Sequence, residues 1–258
     1  ALFSGLGIYV FRLGIVGVAL GTVLARLVGV LILWRELDLS TIRWRWGLDR
    51  ELLRLSLPAA GERLMMRAGD VVIIAIVVVF GTDAVAGNAI GEVLTQFNYM
   101  PAFGVATATV MLVAHAVGEG DMQAVGLIRK RALWLSFACM LPLALGIFAL
   151  GRPLTLLYTD NSGAITASLS VILFSLLGTP MAAGTVIYTA VWQGLGNARL
   201  PFYATTIGMW LIRIISGYLL GVTFGLGLPG VWAGTLLDNG FRWLFLKVLF
   251  DRKMREIT

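Results

Sequence analysis

Apolar residues run in long unbroken blocks along this chain, without the alternation that marks a half-buried strand. A helix needs roughly 20 mostly apolar residues to cross the ~30 Å hydrocarbon layer of a bilayer. The blocks predict seven such spans, at 16–33, 57–80, 84–117, 133–150, 165–191, 202–220 and 231–249. The third and fifth exceed what a bilayer requires, which predicts tilting, bending or projection beyond it. Pro101, Pro142 and Pro180 fall inside spans, where each removes a backbone donor and bends its helix. Lipid leaves free backbone groups without partners, so helices are the expected spanning form. The pattern thus predicts an all-α integral membrane protein with about seven transmembrane helices.

Composition agrees. Of 258 residues, 59% are hydrophobic and only 13% are charged, against about 25% charged in ordinary soluble domains. Cys139 is the single cysteine and His115 the single histidine. That excludes an internal disulfide, cysteine-based metal motifs and zinc sites built on two histidines, so no metal site is expected. The net charge of +6 has a topological reading. If 34–54 is cytoplasmic, alternate crossings bring thirteen of the twenty basic residues to that side, among them Arg35, Arg129, Lys130, Arg199 and Arg252, and only Arg12 and Arg152 to the other. This asymmetry predicts a multi-pass protein of the plasma (inner) membrane with a cytoplasmic C-terminus. The partner implied is the lipid bilayer, and no nucleic acid. Segment 34–54, with Trp44 and Trp46 among its arginines, reads as an interfacial linker between two helical bundles; a regulatory binding site is the alternative. A retinal pigment would need a lysine deep in a span, and Lys130, Lys247 and Lys253 all lie near span ends. The residues after Ala1 read like the tail of an earlier helix, so a fragment of a longer transporter is expected.

Charges inside spans need a partner or an aqueous cavity, because a lone ionised side chain at the bilayer centre costs about 2.5–3.5 kcal/mol or more. At about 1.5 Å per residue, Arg213 lies ~17 Å and Asp238 ~20 Å from one face, so a structural ion pair is expected between them. Glu62, Met66 and Asp70 share one helix face, with Arg63 and Arg67 alongside; Arg67 reaches Asp70 at i+3. Asp70 and Glu92 lie at similar depths, near 20 and 18 Å, where two carboxyls together would hold a proton or a cation. Glu92 has no basic residue at helical spacing. The candidates for holding a proton or a cation are therefore Glu92, Asp70 and Glu62, with two bland alternatives: Glu62 at the membrane interface, and Asp70 neutralised by Arg67. Phe97, Tyr99, Met100 and Phe103 beside Pro101, and Met209 with Trp210, are either packing or a soft wall for planar cationic compounds. The pairs Gly17/Gly21, Gly87/Gly91 and Gly230/Gly234 permit close helix approach.

From the second span onward the chain resembles the C-terminal six-helix lobe of the multidrug and toxic compound extrusion (MATE) family. The resemblance is carried by Leu57-Pro58-Ala59-Ala60-Gly61-Glu62, Phe80-Gly81-Thr82-Asp83-Ala84-Val85-Ala86, Met100-Pro101-Ala102-Phe103-Gly104 and His115-Ala116-Val117-Gly118-Glu119-Gly120-Asp121. It continues in Trp192-Gln193-Gly194-Leu195-Gly196-Asn197-Ala198-Arg199 and Gly208-Met209-Trp210-Leu211-Ile212-Arg213, in order over roughly 200 residues. The first span resembles the sixth helix of the other lobe. The resemblance implies residues 1–33 as the end of the N-terminal lobe, 34–56 as a cytoplasmic linker, 57–250 as the C-terminal lobe and 251–258 as a cytoplasmic tail. It implies twelve spans in two bundles, so about five further spans are expected upstream. It also implies a cation-coupled exporter of bulky, cationic organic compounds, with a cleft between two lobes and transported Na⁺ or H⁺ in place of any cofactor. Three positions depart from the family: Met66 stands where one branch has an acid, span 165–191 has no Asp or Glu, and His115 replaces a common glutamine. The polar loops hold no phosphate loop, nucleophile elbow or catalytic pair, so an enzyme is not expected. The alternatives are a lipid-linked precursor flippase of the same superfamily, which would favour a strongly cationic cavity, and a membrane-embedded enzyme.

Overall fold

The computed structural model describes residues 14–36 and 50–256, all helical apart from short turns. The chain divides into two compact units, 1–48 and 49–258. In the first, α1 covers Gly14–Glu36. The second holds α2 (Arg50–Val78), α3 (Thr82–Gly118), α4 (Met122–Ala149), a short α5 (Gly151–Leu156), α6 (Ser162–Gly194), α7 (Arg199–Thr223) and α8 (Leu228–Arg255). Seven helices of the described residues thus answer the seven expected spans, each longer than its apolar block. Two expected boundaries move. Helix α2 begins at Arg50, so the linker is helical well before residue 57, and α8 runs on to Arg255, so most of the tail is helix. Residues 37–49, Trp44 and Trp46 included, and Arg12 lie outside the described residues.

Helices α3, α4, α6 and α7 are long and apolar enough to cross a membrane by length and composition alone. Helix α2 is interrupted by Glu62, Arg63, Arg67 and Asp70, and α8 by Asp238, Arg242 and Lys247. Those two carry the charges that the bundle must accommodate. Elsewhere the outward surface is apolar: Leu57, Leu64, Val71, Val79 and Leu211 are all exposed, as lipid-facing side chains would be. Turns are short. Gly120 and Gly196 end α3 and α6 in the left-handed conformation that glycine adopts without strain, while Asp121 and Asn161 cap the starts of α4 and α6.

Helix α3 packs on α6 along its whole length, and small residues set the approach. Gly87 lies against the Ala164 carbonyl and Ala167, and Gly91 against Val171. Asn98 donates to Thr179 Oγ1 at 3.1 Å, and Gly194 closes on Val110 and Val113. The partners keep a constant offset, so the two helices run parallel in one register. Helices α6 and α8 are also parallel, with Gly178 on Leu236, Gly184 on Trp243 and Trp192 Nε1 donating to the Leu246 carbonyl at 3.1 Å. So are α2 and α7, with Gly61 on Phe202, Gly69 on Met209 and Ile73 near Gly217. Helices α7 and α8 are antiparallel, Gly230 and Gly234 touching the α7 backbone at Leu220 and Gly217. Helices separated by an even number of crossings run parallel and neighbours in sequence run opposed, as regular membrane crossing requires. One end of the bundle consequently collects Arg129, Lys130, Arg131, Arg199, Arg252, Lys253 and Arg255, and the other Arg152.

A β-carbon added at Gly91 would lie 2.6 Å from Val171 Cβ, whereas one at Gly104 of the same helix meets nothing within 4 Å. Gly91→Leu should therefore destabilise the detergent-purified protein by about 1–3 kcal/mol through overpacking. Gly104→Ala should leave thermal unfolding unchanged or raise its midpoint, since alanine favours helix by about 1 kcal/mol.

Candidate functional site

Two polar features interrupt the apolar bundle. The first is a charged seam between α2, α7 and α8. Because α2 and α7 run parallel, Thr205 stands level with Glu62 and Arg213 level with Asp70. Glu62 is only 9% exposed; its Oε1 accepts a 3.1 Å bond from the Thr205 hydroxyl, with Gln193 close by and Arg242 within electrostatic reach. Glu62 is thus enclosed by protein between α2 and α7. Asp70 is held from both sides, by Arg67 of its own helix at 3.6 Å and by Arg213 of α7 at 3.5 Å.

The expected pair between Arg213 and Asp238 does not form. Asp238 is fully buried and accepts from Arg242 Nη2 at 2.7 Å, one turn along α8, while Arg213 takes Asp70. The reason is geometric. Arg213, Asp70 and Asp238 lie at one depth, which depth alone cannot sort, and i,i+4 spacing brings Arg242 to Asp238 without any register between helices. Arg242 Nη2 also reaches Asn239 Oδ1 at 3.3 Å. The other Asp238 oxygen lies against Gly208, where a β-carbon would collide with it. Residues Gly208–Arg213 and Leu219–Thr223 of α7 are π-helical, a local widening that often accompanies functional sites.

The second feature is one face of α3. Glu92, Gln96, Tyr99 and Phe103 fall on a single stripe at 3.6 residues per turn. Glu92 points out of the bundle; its Oε1 accepts from Asn88 Nδ2 at 3.1 Å, and Asn88 Oδ1 accepts from Trp232 Nε1 of α8 at 2.9 Å. Among the described residues no basic side chain lies within ion-pairing distance of Glu92. The Asp70 and Glu92 carboxyls are held by different partners, Asp70 by Arg67 and Arg213 and Glu92 by Asn88. Tyr99 stacks on Phe103 with centroids 6.5 Å apart and lies within electrostatic reach of Arg213, Arg242 and Asp238, which sets the stripe beside the seam. Phe97, Met100 and Phe103 are exposed and Trp210 is half-buried. Met209 is buried against Gly69 and accepts from Arg213 Nη1 at 3.8 Å, so it packs α2 on α7 and lines no open wall.

Asn88, Trp232, Thr205 and Arg242 were not singled out by the sequence reading. Two carried a usable signal: Asn88 stands four residues before Glu92, and Arg242 four after Asp238, each on its partner's helix face. Thr205 and Trp232 act across helices and carried none. At the arginine-rich end, Arg129 donates to Tyr188 at 2.6 Å, lies 5.1 Å from the Phe250 ring centroid and pairs with Asp251 at 3.6 Å, tying α4, α6 and α8 together.

Comparison with known proteins gives a consistent result. The MatE family model matches residues 58–219. A probable multidrug resistance protein NorM of Thermotoga maritima is 31% identical over 249 residues, 93% of this chain and 53% of that protein. The multidrug resistance protein MdtK of Photorhabdus laumondii is 28% identical over 198 residues, 74% of this chain and 43% of its own length. The chain spans about half the length of the curated relatives it matches. An outward-facing structure of a multidrug resistance MATE family transporter superimposes with a TM-score of 0.86 at 21% identity, over 99% of this chain and 60% of that one.

The seam geometry has a direct consequence. Asp238→Leu strands the Arg242 guanidinium and should cost about 3–5 kcal/mol. Adding Arg242→Met should recover most of that loss in thermal unfolding of the purified protein. Rescue by Arg213→Met in place of Arg242→Met would contradict the pairing.

Proposed function

The chain belongs to the MatE family of multi-pass membrane transporters, and from that premise we propose that it forms one half of a cation-coupled antiporter that exports bulky organic compounds. Its C-terminus faces the cytoplasm of a plasma (inner) membrane: the basic residues at one end of the bundle support this orientation. Residues 57–250 form the C-terminal lobe, α1 belongs to the other lobe, and Na⁺ or H⁺ drives transport by alternating access.

One observation carries the choice of coupling group. Asp70 is offset by two arginines and Glu62 is enclosed by Thr205 and its neighbours, while Glu92 stands on an apolar helix with no basic partner among the described residues. An acid in hydrocarbon is costly unless it serves a cavity or a partner. In this reading Glu92 serves a cavity of the complete transporter, where its carboxylate holds the coupling ion and the cationic substrate in turn. Tyr99, Met100, Phe103 and Phe97 supply ring faces and a polarisable thioether beside it, suited to planar cations. Glu62, buried beside Arg242, is the reserve candidate for a proton.

In the complete transporter, Glu92→Gln should preserve folding and binding of ethidium but abolish the dependence of ethidium efflux on the ion gradient. A variant that pumps normally, with unchanged pH and Na⁺ dependence, would assign Glu92 to packing and the coupling site elsewhere.

A further inference from the structure

We propose that Trp232 and Asn88 form a positioning relay, running from α8 to α3, that sets the ion affinity of Glu92. The proposal rests on the reading of Glu92 as the coupling carboxyl and names the residues that hold it. An indole N–H donates and cannot accept, so the 2.9 Å bond from Trp232 Nε1 to Asn88 Oδ1 decides which way the amide faces. With the oxygen committed to the indole, the amide nitrogen is left to donate to Glu92 Oε1, one turn along the same helix face, at 3.1 Å. Asn88 is 6% and Trp232 9% exposed, so neither group has solvent to turn to. A half-satisfied amide in such surroundings is worse than an apolar side chain, which holds the relay as a unit.

The direction of the relay gives it a chemical effect. An amide N–H aimed at a carboxylate stabilises the anion, the form that binds a cation. Without the indole, the amide is free to turn its oxygen toward Glu92, and that bond is favourable only when Glu92 carries the proton. Trp232 thus acts on the acid from α8 through Asn88. The remaining charges on the packed helices are committed or distant. On α8, Asp238 is paired with Arg242; across α2 and α7, Asp70 is paired with Arg67 and Arg213. Helix α6 has no charged residue, α5 has only Arg152, and α4 holds Arg129, Lys130 and Arg131 at the far end.

The test uses the complete transporter in proteoliposomes, with ethidium as cargo and imposed H⁺ or Na⁺ gradients. Trp232→Phe keeps the apolar bulk and removes only the donor; Asn88→Leu removes the amide. Each should shift the half-maximal coupling-ion concentration at least about threefold with little change in maximal rate, and the double variant should add nothing further, as expected for one unit. Infrared titration of the Glu92 carboxyl, identified by its loss in Glu92→Gln, should show the same shift toward the protonated form. If either foldable variant leaves both the ion dependence and the carboxyl titration unchanged, the relay is overturned while the coupling role of Glu92 stands. If Glu92→Gln keeps its gradient dependence yet Trp232→Phe moves the carboxyl titration, the relay holds and the coupling role fails.

Discussion

Hydrocarbon offers no partner to an exposed polar group, and that single constraint organises this molecule. Backbone groups are satisfied inside helices, and the hydrophobic effect that assembles soluble domains is weak between surfaces that are apolar on both sides of the contact. Close packing has to substitute for it. The glycines at 87, 91 and 194 bring α3 onto α6, and those at 230 and 234 bring α8 onto α7, near enough for backbone to meet backbone or side-chain base. Each is a place where a β-carbon has no room.

The same constraint sorts the charges. Asp238 with Arg242, and Asp70 with Arg67 and Arg213, are neutralised at contact distance. The first pair belongs to one helix and stiffens it without linking anything. The second joins α2 to α7, beside a π-helical stretch. The two arrangements differ in exposure as well: Asp238 is fully buried, whereas the Asp70 side chain is one-third exposed. A buried pair resists change because separating it strands a charge; the half-open pair can exchange partners with far less penalty.

The spans were legible in the sequence because their signal is length and apolarity, and a long apolar block has few alternatives. The glycine pairs at 87/91 and 230/234 were legible for the same reason: a repeat of four on a helix has one geometric meaning. The ends were not, since Arg50 and Arg255 lie in helical turns beyond the apolar blocks, where composition changes and conformation does not. Ion pairing failed for a different reason. Depth gives one coordinate, and Arg213, Asp70 and Asp238 share it; the choice between them depends on rotation about each helix axis and on which helices adjoin. The Arg67–Asp70 contact, fixed by spacing within one helix, was read correctly. Arg242 carried the same kind of local signal and was passed over in favour of a partner on another helix.

Helix rotation also explains why Glu92 stands apart. Gly91 faces α6, and one residue turns the helix by about 100°, so Glu92 is carried off the locked face toward the open side of the bundle. Asn88 sits one turn back on that side, beneath Trp232, and is the last buried polar group before the surface. Residues 96, 99 and 103 continue the stripe past the acid as an amide, a phenol and a phenyl ring, a gradient from polar to aromatic along one helix face. The tight contact with α6 holds the α3 backbone in place, so the neighbouring face is set at a fixed rotation while its side chains stay accessible. A helix with one clamped and one open face can carry a carboxylate at the edge of the bundle without enclosing it, and among the described residues this is the intramembrane acid that no arginine pairs.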